Sequence, residues 1–198
     1  MYDRRQFLVL AGTGFMACTR ARAEIMQFTS PIIDDLSREP PLAAIGTSWR
    51  MFTDRVMGGV SDGRMSRELV AGRQAIRMRG DVSLENNGGF VQISLDLDPD
   101  GKAVDVSSWQ GLELDVFGNS ETYAMHLRTA DLSRPWQSYR QSFWADPEWR
   151  TVELPFKDFV EHRTDVRLNT RRLKRIGVVA IGRPFVADVS IGGVRFIK

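Results

Sequence analysis

The sequence predicts an all-β protein, an antiparallel β-sandwich of jelly-roll type, and three observations predict it. Apolar residues recur at every second position, as in Val91, Ile93, Leu95 and Leu97, a spacing that places them on one face of a strand. Clusters of Gly, Asp, Asn, Ser and Pro punctuate these runs at short intervals. Beyond residue 23 no segment keeps a 3.6-residue apolar period over three turns, so the crossover helices of a parallel sheet are missing.

The chain opens with a segment that does not read as part of this fold. Arg4-Arg5-Gln6-Phe7-Leu8 is a twin-arginine export signature leading into an apolar run from Phe7 to Ala17. The run has about half of the roughly 20 residues a spanning helix needs. Residues 1–23 are therefore expected to be a signal peptide, cleaved after Ala21-Arg22-Ala23, with a periplasmic product and no stable membrane span. The alternatives are lipidation at Cys18, behind Phe15-Met16-Ala17, and a cytoplasmic membrane-associated protein. Cleavage changes the electrostatics: of 27 Lys and Arg four precede Glu24, and of 25 Asp and Glu one does, so the mature net charge is about −1. A near-neutral surface lacks the positive field that nucleic-acid binding requires. Cys18 is the only cysteine, so the mature chain has no thiol for disulfides or nucleophilic catalysis.

Residues 24–46, with Pro31, Pro40 and Pro41, read as a linker or surface arm, and 47–198 as a single sandwich domain. Within it, about nine strands are expected, at 64–69, 75–79, 91–97, 112–116, 123–127, 138–144, 150–154, 176–181 and 186–197. The one helical candidate is a short turn at 155–159.

Two loops stand out. One is Asp54-Arg55-Val56-Met57-Gly58-Gly59-Val60-Ser61, just after Trp49, and the other is Ser83-Leu84-Glu85-Asn86-Asn87-Gly88-Gly89-Phe90. In each, a glycine pair supplies backbone freedom while Asp, Ser and Asn side chains bond the turning main chain. Asp54, Met57, Gly58, Gly59, Ser61, Glu85, Asn86, Asn87, Gly88 and Gly89 are the candidate ligand- or partner-binding residues. The competing structural roles are turn capping by Asp54 and Asn86, and Met57 as a plug in the end of the sandwich. Gly58→Val and Gly88→Val are expected to cost stability if those positions need φ > 0.

Other chemistry is argued against. Gly12-Thr13-Gly14 has dinucleotide-like spacing but follows paired arginines, with no βαβ unit behind it. Asp96, Asp98, Asp100 and Gly101 open like a calcium loop, yet the twelfth position is Ser107 in place of Glu, so a charged turn is expected. His126 and His162 lack partners at a metal-ligand spacing, and His126 alternates with Met125 and Leu127 onto an outer face. Ser61 is not in a Gly-x-Ser-x-Gly elbow. No cofactor, metal site or catalytic residue is expected. The basic run Arg163 to Arg175 reads as a solvated edge or a local anion patch. Trp136, Tyr139, Phe143, Trp144 and Trp149 cluster within fourteen residues; alternation sends Tyr139 and Phe143 inward, leaving Trp136 and Trp144 as candidates for stacking on sugar rings.

The two loop sequences, with Asp105-Val106-Ser107 before Gly111-Leu112, Trp149 before Val152-Glu153-Leu154-Pro155-Phe156, and Arg183-Pro184-Phe185 before the last strand, resemble the complex I intermediate-associated protein 30 family. The resemblance runs from about Trp49 to Ile197. It implies a galactose-binding-like β-sandwich and a non-catalytic, chaperone-like assembly factor whose partner is a protein in an unfinished membrane complex. An exported relative with the same fold offers the alternative of an extracytoplasmic module binding a carbohydrate or other small ligand.

Overall fold

The computed structural model describes residues 25–198; the twin arginines, Cys18 and the Gly12–Gly14 pattern lie outside the described residues. These residues form two sheets packed face to face. In sheet A the spatial order is β3 (Arg50–Thr53), β6 (Phe90–Asp96), β13 (Leu173–Ile181), β9 (Glu121–Thr129), β10 (Ser138–Ala145) and β12 (Val160–His162). At its margin β7 (Val104–Asp105) pairs with Leu173, and β1 (Met26–Gln27) runs parallel to β7. Sheet B runs β11 (Arg150–Pro155), β8 (Gly111–Phe117), β14 (Phe185–Ile197), β5 (Arg73–Val82) and β4 (Asp62–Val70), with β2 (Ile32–Asp34) added to β14.

All nine strands expected from alternation are present, within a residue or a few of the expected bounds. The five strands not expected, β1, β2, β3, β7 and β12, are two to four residues long, too short to show a period. The short turn at 155–159 is a 3-10 turn at Phe156–Asp158. The antiparallel sandwich is confirmed, with β1 and β7 its one parallel pair among the described residues. The β4–β5 hairpin closes through Ala71 and Gly72, both at positive φ, a two-residue turn whose twist matches the strands.

Alternating residues meet between the sheets and fill the core: Val91, Ile93 and Leu95 from β6, Met125 and Leu127 from β9, Leu112, Leu114 and Val116 from β8, and Met78 from β5 are all fully buried. Tyr123 of β9 crosses the core to β14. Its hydroxyl accepts the Asp188 N–H at 2.8 Å and donates to Asn119 Oδ1 at 2.6 Å. Burial pushes its pKa up to about 12. The segment before Thr47 is stitched to the sandwich: Ile33 is fully buried, and Asp34 accepts from the Leu36 N–H at 3.0 Å, the Ala44 N–H at 3.2 Å and Trp49 Nε1 at 2.7 Å.

Candidate functional site

The two glycine loops form one structure, and Asp54 is the reason. After β3 the chain turns through a single 3-10 turn, Asp54–Met57, begun by the Thr53 hydroxyl and ended at Gly58 with φ +91°. Asp54 is fully buried at the base of the turn. Its Oδ1 accepts the Ser61 N–H at 2.9 Å; its Oδ2 accepts the Gly89 N–H at 2.6 Å, the Phe90 N–H at 3.3 Å and the Ser61 hydroxyl. Ser61, also fully buried, extends the link by accepting the Ser83 N–H at 2.9 Å on its Oγ. One carboxylate therefore fixes its own loop and the start of β6, 35 residues away. Burial pushes the Asp54 carboxyl up, but hydrogen bonds from the Ser61 hydroxyl and the Gly89, Phe90 and Ser61 amides outweigh it and hold the group below its ordinary value.

Asp54 and Ser61 are thus the frame of the loops, the loop-shaping role being one of the two read for them in the sequence. The glycine pairs divide their work in a way the sequence did not reveal. Gly58 and Gly89 sit at φ +91° and +134°, where L side chains are strained. Gly88 has φ −74°, so the expectation of positive φ fails there; what it needs is the absence of a Cβ, which would meet Asp54 Oδ2 at 2.5 Å. A Cβ on Gly59 would land within the Asp54 side chain. The expected outcome follows: Gly59→Ala and Gly88→Ala lose about 2–3 kcal/mol by displacing the carboxylate, whereas Gly58→Ala, with nothing within 4 Å of its new methyl, loses about 1 kcal/mol through strain alone. Urea midpoints of the three variants check the order.

With Asp54 and Ser61 consumed inside, the loop tips present apolar side chains to solvent among the polar Arg55, Glu85 and Asn86. Met57 is 62% exposed and Val56 70%, so Met57 is no plug for the sandwich. Leu84 is 47% exposed on the other loop, where Glu85 and Asn86 also face solvent and Asn86 stands at φ +54°. Asn87 contributes the last backbone position of that turn.

The second loop feeds directly into the outer face of sheet A. Strand register sets out that face in rows. Trp144 stands opposite Thr122, and Ile181 opposite Phe90. One step further, Ser142, Ala124, Val179, Gln92 and Phe52 follow one another across five strands. This half of the face is mostly apolar. In the next row come Arg140, His126, Gly177, Ser94 and Arg50, and then Arg128, Arg175 and Asp96, a basic half. His126 lies on the outer register as alternation predicts, yet it is buried, and burial, with Arg140 and His162 adding, holds its pKa down to about 3.

The aromatic group of the sequence is dispersed. Tyr139 and Phe143 are buried, as expected. Trp144 is 52% exposed on the outer face, its Nε1 donating to Asp146 at 2.8 Å. Trp136 is also exposed, but on the β9–β10 connection, with the Arg134 guanidinium 5.9 Å from its ring. Trp149, just before β11, packs on sheet B, its Nε1 donating to the Val70 carbonyl at 3.0 Å. The carboxylates at 96–101 form a turn: Asp98 accepts the Asp100 and Lys102 amides, and Asp96 pairs with Arg50 and Arg175. Among the described residues no group of three His, Cys, Asp or Glu side chains is placed to hold a metal ion, and no helix is long and apolar enough to cross a membrane.

The architecture is a jelly-roll sandwich with one rigid double-loop end and a strongly two-part outer sheet face. Comparison with solved structures shows the same fold in carbohydrate-binding modules. A family 11 module from Clostridium thermocellum, solved in complex with a β-1,3-1,4-mixed-linked tetrasaccharide, superposes with a TM-score of 0.66 at 13% identity, covering 85% of this chain and 95% of that one. A family 30 module of a cellulosomal cellulase from Clostridium thermocellum gives 0.53 at 13% identity, over 68% and 82%. Comparison with curated protein sequences gives no match. The model of the complex I intermediate-associated protein 30 family matches residues 43–190, a span containing both glycine loops, and the chain belongs to that family.

Proposed function

We propose that this protein is a non-catalytic binding factor of assembly type, which docks a protein partner through the tips of its two fused loops and the adjoining apolar half of sheet A. One observation carries this reading: the loops spend every buried polar group on holding themselves rigid and present Val56, Met57 and Leu84 to solvent, beside a sheet face bearing Phe52, Phe90, Ile181 and Trp144. An outer sheet face in a solitary sandwich is ordinarily polar, and an apolar one marks an interaction surface. A rigid frame also lowers the ordering cost of docking. The family supports a protein partner, and the leader supports a periplasmic one, so the partner in this reading is an unfinished membrane-bound or extracytoplasmic assembly.

The test is site-specific photocrosslinking in intact cells from position 57, compared with position 69 on β4, an exposed apolar site on the other sheet. Position 57 is expected to capture a discrete protein partner that position 69 does not. A Val56→Asp, Met57→Asp double variant should lower partner affinity at least tenfold, about 1.4 kcal/mol, with an unchanged melting temperature. Equal capture from both positions, or full affinity in the double variant, overturns the proposal. The glycan reading has one specific support, the exposed Trp144 indole on a sheet shared in fold with carbohydrate-binding modules. It requires oligosaccharide binding that Trp144→Ala removes.

A further inference from the structure

The basic half of the outer face of sheet A has one acid, Asp96, at its β6 end, paired with Arg50 and Arg175; the β10–β12 end has no ion pair among the described residues. Arg140 of β10 stands between Val160 of β12 and His126 of β9, and His162, opposite Ser138, leads directly into Arg163. Arg140 is half-buried, yet its only side-chain hydrogen bond among the described residues runs from Nε to Ser138 Oγ at 3.0 Å. Arg163 makes no ion pair among them. Three carboxylates of the region are engaged elsewhere, Asp96 with Arg50 and Arg175, Asp131 with Arg172 and Asn169, Asp146 with Arg150, and the exposed Asp165, two residues beyond Arg163, makes no ion pair with it. Glu161, between Val160 and His162, is in register with inward-facing Tyr139 and so sits on the opposite parity. The nearby Arg128 is occupied by the carbonyls of Pro135 and Gln137, at 2.7 and 2.6 Å.

The row that starts at Arg140 holds two buried polar atoms without partners among the described residues. One is Nε2 of His126, whose side chain is 8% exposed; the other is Oγ of Ser94, fully buried. They flank Gly177 in the same row. The Gln92 amide occupies the space over that glycine, since a Cβ there would meet its Nε2 at 2.7 Å.

These groups feel one another. Burial, with Arg163 adding, pushes the Arg140 guanidinium down to about 10, and burial with Arg140 and Arg163 lowers His162. A half-buried guanidinium beside a second, exposed one costs free energy unless an anion joins them. Nothing in the core packing calls for them, because Arg140 and His162 point away from it.

We propose that Arg140, Arg163 and His162, on the outer face of β10 and β12, bind an oxyanion, the acidic group of a small ligand. Guanidinium forks grip carboxylate and phosphate oxygens in pairs, and the His162 imidazole supplies a further donor. The three side chains lie outside the apolar half proposed for docking, and Trp144 is the one residue the two surfaces share. Its ligand is either an inorganic phosphate or the carboxylate of an acidic sugar. Trp144 lies four residues along β10 from Arg140, about 13 Å away at roughly 3.3 Å per residue, close enough to stack on the second source and without bearing on the first.

Isothermal titration at constant ionic strength decides it, with the mature protein and three probes: inorganic phosphate, a trigalacturonate and a neutral trisaccharide. At least one anionic probe is expected to bind saturably, and Arg163→Gln, at an exposed position that leaves the fold intact, should weaken it roughly tenfold or more. Arg171→Gln, on a separate exposed turn, should leave affinity unchanged. If trigalacturonate is the ligand, Trp144→Ala weakens it as well; if phosphate is, that variant is silent. Absence of saturable binding by both anions overturns the proposal, as does equal affinity in Arg163→Gln or equal binding of the neutral sugar.

Discussion

Asp54→Ala is expected to destabilise the protein by about 3–5 kcal/mol, the largest single polar effect in the molecule. The substitution leaves the Ser61, Gly89 and Phe90 amides and the Ser61 hydroxyl without their common acceptor, in a place water does not reach. Each orphaned buried donor costs about 1–3 kcal/mol, reduced where the loop can open to solvent. Against a typical domain stability of about 5–15 kcal/mol this is a large fraction, corresponding to a melting temperature lower by roughly 10 °C at this chain length. Asp54→Asn keeps the volume but loses acceptor capacity and charge, and should fall between. The pH dependence has a definite sign. The folded pKa lies below the unfolded one, so the contribution of this carboxylate is complete above the ordinary carboxylate range and is lost as pH falls through the lowered folded value. The gap between wild type and Asp54→Asn measured by urea unfolding should therefore be widest at neutral pH and shrink toward pH 2. A constant gap across that range would place the stabilisation in shape and not in charge.

This same residue shows where sequence reading stops. The spelling from Asp54 to Ser61 marked a loop of consequence, and turn capping was one of the two roles read for it. What the spelling does not carry is that the Asp54 acceptors are met by amides 35 and 36 positions further on, because side-chain partners across a sandwich are fixed by sheet topology. Alternation was sufficient for the nine long strands, since a period of two is legible over five residues. It was silent for β3, four residues between Trp49 and Asp54, although that edge strand is what brings the first loop beside the second. Trp144 was correctly sent outward and Tyr139 inward by the same parity rule. His126 shows its limit: parity placed it on the outer register but does not report its burial there, between Arg140 of β10 and Gly177 of β13, the latter 51 positions further on. Likewise, Arg140 and Arg163 are 23 positions apart as text and become one cluster only when β12 pairs with β10.

Trp49→Ala is the second large effect, expected at about 3–5 kcal/mol, and it tests how the segment before Thr47 is held. Trp49 is 3% exposed, and its indole N–H donates to Asp34, itself buried, whose other oxygen takes the Leu36 and Ala44 amides. Removing the indole opens a cavity in the core and strips one ligand from a carboxylate already cut off from water. Two further variants separate those causes. Trp49→Phe retains most of the apolar volume and loses the hydrogen bond, so its cost should be a minority of the alanine cost; Asp34→Asn removes the charge and leaves the ring packed. If the bond dominates, Trp49→Phe and Asp34→Asn should each cost much of what the pair costs together, a coupling a double-mutant cycle reads directly. If packing dominates, Trp49→Phe will be mild and the two will add. Limited proteolysis supplies the structural readout: because β2 pairs with β14 and Ile33 enters the core, loss of the Asp34 anchor should make the chain before Thr47 cleavable while the sandwich survives. Protection of that segment in Trp49→Ala would show that β2 pairing and Ile33 burial hold it without the indole.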